Sequence, residues 1–129
     1  MTVILQKCIE CLSAEGIKIM QENEGSILFK YQGKYIYIEH NESDTNFLRF
    51  ILPNFWSIES SDARIKVLET ANQVSSEMKV INFEIAEDNV HAVCEIFISE
   101  DGFLPVIIDR CLNVLIDGIL KFKIDYKNC

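Results

Sequence analysis

Apolar side chains at Ile4, Leu5, Cys8, Cys11 and Leu12 recur at the spacing of one helix face, which predicts a first helix over 3–15. Gly16 is its natural stop. Ile17, Ile19 and Met20 then suggest a short strand, closed by the turn-like Asn23-Glu24-Gly25. Ile27, Phe29 and Tyr31 alternate on one face, Gln32-Gly33 makes a tight turn, and a strand resumes over 34–40. A polar loop at 41–44 leads into a strand over 47–52. Pro53 is expected to end that strand, because proline supplies no ladder N–H.

The second half begins with Ser60, Ser61 and Asp62, all N-cap candidates for a helix over roughly 61–78. Its apolar residues, Ile65, Leu68, Ala71, Val74 and Met78, follow helical spacing and predict the buried face. Ile81, Phe83 and Ile85 alternate next. After Glu87-Asp88-Asn89 a longer strand puts Val90, Ala92, Cys94, Ile96 and Ile98 inward, with His91, Val93, Glu95 and Phe97 outward. Asp101-Gly102 ends this hairpin, and Pro105 suits the first turn of a last helix. Over 104–120 the apolar arc spans roughly 200°, wider than a surface helix needs, and Asp109, Arg110, Asn113 and Asp117 form its polar stripe. Gly118 could stop this helix, leaving Phe122, Ile124 and Tyr126 to alternate as a strand.

The pattern predicts one α+β domain over 1–129, with helices on an antiparallel sheet in the order α-β-β-β-β-α-β-β-α. With 49% apolar residues in 129, the chain has material for a core without metal or disulfide. Twenty acidic residues against 12 basic ones give a net charge of −8, which disfavours nucleic acid and anionic membrane surfaces as partners. The first residues lack the charged and apolar regions of a secretion signal, and no run approaches a membrane span. Five cysteines, an odd number, then fit reduced thiols in the cytoplasm.

This succession, with the 47–56 segment, an amphipathic helix carrying Ala71-Asn72, and a strand pair reading Lys79-Val80-Ile81-Asn82-Phe83-Glu84-Ile85 and Val90-His91-Ala92-Val93-Cys94-Glu95-Ile96, resembles the YbjN-like bacterial domains. These share the fold of type III secretion chaperones. The resemblance covers roughly 3–124 and rests on topology and apolar pattern rather than on a catalytic motif. It implies a long final helix running past Gly118. It also implies a regulatory role, since such domains are described as candidate regulators of sensory transduction with no established catalytic residues. Their secretion-chaperone relatives are acidic homodimers that hold partner polypeptides, which agrees with the charge here.

Candidate chemistry is sparse. Cys8 and Cys11 form a CxxC, but inside a helix that opens the chain, where no strand precedes the thiols to present them at a helix N-terminus. A zinc site would need two more ligands, and Cys94, Cys111 and Cys129 are scattered. Buried small side chains are the preferred reading of the pair, with a small thiol- or metal-dependent enzyme as the alternative. His40 and His91 read as solvated strand residues, and Glu84, Glu87, Asp88 and Glu95 as a solvated rim with, at best, a weak cation site. The aromatics carry more. Tyr35 and Tyr37 share a strand face, Val93 and Phe97 give the last strand a second semi-apolar face, and Phe55-Trp56 follows Pro53. Such residues either close the core or form a dimer or partner surface, where tyrosine and tryptophan are enriched. The expectation is therefore a non-enzymatic protein-interaction or regulatory module, homodimeric, with a chaperone-like adaptor as its narrower form. It would need no cofactor and would bind through Tyr35, Tyr37, Phe55, Trp56, Val93 and Phe97.

Overall fold

Thr2 starts the first helix, α1 (Val3–Ala14), by accepting the Leu5 N–H on its hydroxyl at 3.2 Å. Leu5, Cys8 and Leu12 form its buried face, and Gly16, at φ +80°, takes the left-handed conformation that stops it. The computed structural model describes residues 1–99 and 102–128. The expected stop at Asp101-Gly102 therefore lies partly, and Cys129 wholly, outside the described residues.

Four strands follow: β1 (Ile19–Glu22), β2 (Ser26–Tyr31), β3 (Lys34–Asn41) and β4 (Asp44–Ser57). Gln32 and Gly33 have φ +49° and +78°, the paired left-handed values of a two-residue hairpin turn. Then come α2 (Ser61–Glu77), β5 (Ile81–Ala86), β6 (Asn89–Phe97) and α3 (Leu104–Lys127). The strands form one antiparallel sheet in the order β1-β2-β3-β4-β6-β5. This is the expected α+β architecture and element order.

One sheet face carries Ile27, Phe29, Ile36, Ile38, Leu48, Phe50, Leu52, Ala92 and Cys94, buried against Leu5, Cys8 and Leu12 of α1 and the inner side of α3. A second cluster of Ile58, Val67, Val74, Val90 and Phe122 joins α2 to the far end of the same face. Alternation along each strand thus fills one side of the sheet and leaves the other without a helix.

Several expectations change. The 41–44 loop is a tight turn whose ends already belong to β3 and β4. Pro53 does not end β4. Leu52 pairs with Ala92 and Trp56 with Val90, so four steps along β4 answer two along β6, and the excess bulges out through Asn54 at φ +55°. Proline is tolerated there because a bulge asks for no ladder N–H. In α2 the buried residues are Val67, Thr70 and Val74, while Ile65 and Leu68 are 57% and 53% exposed. The helix is turned from the predicted face because it packs on α3 and β5 rather than over the sheet centre. α3 runs unbroken through Gly118, where an added Cβ would lie 2.8 Å from Ile81 Cδ1. Glycine here serves close helix–sheet approach rather than termination. The wide apolar arc of α3 is used inside the fold, against the sheet and both other helices.

Candidate functional site

The helix-free side of the sheet is built from the alternate residues of each strand, and strand register orders them into rows. Leu28 pairs with Tyr37, Tyr37 with Ile51, Ile51 with Val93 and Val93 with Asn82. An apolar stripe therefore crosses four strands. Beside it runs a charged row, Ser26-Glu39-Arg49-Glu95. Beyond that row Phe47 pairs with Phe97, their ring centroids 5.8 Å apart, and Phe97 is 81% exposed. On the other flank Lys30 pairs with Tyr35, its ammonium 5.5 Å from the ring centroid, and Glu84 pairs with His91.

Arg49 organises this face. Its guanidinium donates to Glu39 at 3.3 Å and to Glu84, and its Nε lies 3.6 Å from Glu95. Three carboxylates share one cation, so the centre of the face keeps an acidic excess. Glu84 and Arg49 belong to the rows on either side of Val93, so their contact spans it, and Val93 is fully buried although no helix covers it. The expected acidic rim is therefore divided. Glu84 and Glu95 turn to Arg49, while Asp88 and the Glu87 carbonyl accept from Arg64 at 2.8 and 2.9 Å.

Of the residues expected to form an interaction surface, Tyr35, Tyr37, Val93 and Phe97 share this face, with Val93 beneath the ion pair. Phe55 and Trp56 do not join them. The β4 bulge turns both toward the helices, where Phe55 packs on Phe83 and Phe122, and Trp56 on Phe122 and Tyr126. Leu28, Phe47, Ile51 and Arg49 complete the surface and escaped the sequence reading. Reading the second face of β2 and β4 by simple alternation would have found them.

His40 is not a solvated strand residue but a buried one. The Thr45 carbonyl, 3.1 Å from Nε2, can only accept, so Nε2 donates to it, while Nδ1 shares a hydrogen bond with the Thr2 hydroxyl at 2.8 Å. The ring ties the cap of α1 to the β3–β4 turn. His91 accepts the Asn54 N–H at 2.9 Å and so stabilises the bulge.

Cys8 is fully buried, and burial, reinforced by the Cys11 thiol, pushes its own thiol up to about 12. Burial raises Cys11 as well, with Glu10 and Glu15 adding to the effect. Inside the core Cys111 bonds to Cys94, and that bond together with burial holds Cys111 well above the usual thiol range. Reactive thiols need the opposite shift together with exposure; the bond from Cys111 does lower Cys94, but Cys94 is fully buried, and Cys8 and Cys11 are both raised. Among the described residues no three His, Cys, Asp or Glu side chains converge as a metal site would require. The thiol- or metal-enzyme alternative therefore has no support in this arrangement.

A pH dependence follows from Cys8. Below its unfolded value of 9.0 the thiol is protonated in both states and contributes no slope. Between pH 9 and about 12 the unfolded chain loses this proton while the folded chain keeps it, so stability falls. The expected loss is about 1.4 kcal/mol per pH unit from this group, and Cys8→Ala should flatten it. Urea titrations at pH 8, 9.5 and 10.5 check this. Equal slopes in both proteins would refute a buried Cys8.

No family model and no curated protein matches the chain. Solved structures do. A protein of uncharacterised function from Methanothermobacter thermautotrophicus superposes with a TM-score of 0.67 at 15% identity, over 95% of this chain and 96% of that one. YbjN from E. coli, a candidate transcription regulator, superposes with a TM-score of 0.67 at 8% identity, over 96% of this chain and 93% of that one. The chain thus has the YbjN-like fold over nearly its whole length, and an archaeal protein shares it. Among the described residues no helix is long and apolar enough to cross a membrane.

Proposed function

We propose that this protein is a non-enzymatic, cytoplasmic protein-interaction module with a regulatory role, and that it works through the helix-free face of its sheet as a homodimer. The observation that carries the reading is the Leu28-Tyr37-Ile51 stripe, an apolar strip laid across three strands on a face that no helix covers. The fold likeness to a candidate transcription regulator supports the regulatory part. A net charge of −8 argues that such regulation acts through proteins rather than by direct contact with DNA. Capture of an extended partner, as the secretion chaperones do it, is the narrower form of the same reading.

Charge selects the dimer geometry. Stacking the face on itself with the two-fold axis along the strands would set the acidic Arg49 row of one copy on the same row of the other. An axis along the stripe avoids this. Tyr35 and Glu39 flank Tyr37 symmetrically on β3, and His91 and Glu95 flank Val93 on β6. That axis therefore places Glu39 opposite Tyr35, and Glu95 opposite His91, of the second copy. The stripe and its flanks bury on the order of 500 Å2 per copy, near the lower limit for a specific interface, so the dimer should be reversible.

Sedimentation equilibrium of the reduced protein over a concentration series tests this. The expected result is a monomer–dimer equilibrium that Ile51→Glu shifts at least about tenfold toward monomer. A wild-type monomer throughout, or a dimer indifferent to Ile51→Glu, would remove the dimer from the proposal.

A further inference from the structure

At the end of the sheet where α1 begins, a cavity of about 550 Å3 opens between the β1–β2 and β3–β4 turns. Glu24, Glu39, Glu42, Asp44, Phe47 and Arg49 line it. Two cations stand at it, Arg49, which Glu39, Glu84 and Glu95 already share, and the Met1 amino group, 3.5 Å from Glu24. Glu24 and Glu39 are thus each held by a cation, while Glu42 and Asp44 stand at the hollow with no ion pair among the described residues. Next to it lies an apolar shelf, the Phe47–Phe97 pair, with Phe97 almost fully open to water.

We infer that this corner receives a basic segment of a protein partner, with an arginine or lysine side chain in the cavity and an apolar neighbour on the Phe97 ring. The inference rests on the reading of the helix-free face as an interaction surface and names the chemistry of its partner. Charge complementarity decides the occupant. The second copy of the dimer proposed above sets Tyr35 and His91, and no arginine or lysine, opposite Glu39 and Glu95, and an acidic or phosphorylated segment would meet a negative rim. A basic side chain gains charge-assisted hydrogen bonds to carboxylates at a half-exposed site, where its desolvation cost is small. Its aliphatic stem can lie along Phe47, and the cation can face a ring. The aromatic shelf makes the site more than an acidic surface, because it rewards an apolar residue beside the cation.

The test is fluorescence anisotropy of the full chain with a labelled hexapeptide alternating arginine and leucine. A glutamate–leucine hexapeptide and spermidine serve as comparisons. The expected result is saturable binding of the basic peptide alone, weakened by salt. Glu42→Gln combined with Asp44→Asn, and separately Phe97→Ser, should each weaken it by about tenfold. These positions are exposed, so circular dichroism should show the fold intact. Failure of the basic peptide to bind, or unchanged binding in both variants, overturns the inference. Sensitivity to the charge variant alone, with spermidine competing equally well, also overturns it, because the site then takes any polyamine. Running the same titration on Ile51→Glu separates the two proposals. A lost dimer with retained peptide binding supports this site whatever the dimer does, and a lost peptide signal there assigns the binding to the stripe instead.

Discussion

Replacing Phe122 by alanine is expected to cost about 3–5 kcal/mol, the largest effect of any single truncation in this chain. Phe122 is fully buried at the meeting point of α3 with the bulged end of β4 and the edge strand β5. Its ring lies 5.1 Å from that of Phe55 in an edge contact, 5.3 Å from Phe83 and 5.8 Å from Trp56. Tyr126, one helical turn on, stacks 6.1 Å away. Those rings sit on three different elements, each anchored by its own backbone bonds, so the cavity left by alanine cannot close by a small shift. Aromatic edge contacts are lost as well, each worth about 0.5–1.5 kcal/mol beyond buried area. Trp56, the chain's single tryptophan, reports on this cluster directly. Guanidinium titration followed by its fluorescence should show a lower midpoint, with Phe122→Leu intermediate. A loss below about 1 kcal/mol would mean that the second cluster is not cooperative with the main core.

Gly118→Val should cost about 3 kcal/mol, against the ordinary rule that filling a helical glycine helps. An added Cβ would lie 2.8 Å from Ile81 Cδ1 and 3.0 Å from its Cγ1. Ile81 is itself buried and opens β5, so it has little room to retreat. Alanine alone is a balanced case, because helix propensity returns about 0.8–1 kcal/mol while the far end of Ile81 turns aside. Valine adds two methyl groups and stiffens χ1, so α3 must lift from the sheet. Thermal unfolding should show valine well below wild type, with alanine near it. A valine variant as stable as wild type would mean that α3 and β5 are less closely packed than their contact suggests.

Most of the architecture was legible because local signals agreed. The helix and strand periods, the Gln32-Gly33 turn and the serines before α2 all point to the elements that form. What failed depended on partners distant in sequence. In α2, Ile65 and Leu68 fit a helical stripe as well as Val67 and Val74 do, and only the position of α3 and β5 chooses between them. Proline at position 53 reads as a strand end until the partner strand shows a bulge. His40 looked solvated because the Thr2 and Thr45 groups that satisfy it come from a helix cap and the far side of a turn. The surface was half legible. Alternation puts Tyr35, Tyr37, Val93 and Phe97 on one face, but Arg49 and its three carboxylates lie on four strands and carry no local motif.

The excess in β4 is two residues, an even number, and that parity governs how the chain can change length. Leu48, Phe50 and Leu52 face the helices before the bulge, and Trp56 and Ile58 still do after it. Deleting one residue between 52 and 56 would reverse every later side chain, sending Trp56 to water and drawing Ser57 into the core. Deleting two would restore a plain ladder and keep those faces, losing the turn of backbone that His91 holds and the packing of Phe55 on Phe83 and Phe122. Length variation at this point is therefore quantised. Descendants of this sequence can gain or lose residues here in pairs, and odd changes require a compensating shift before the chain enters α2.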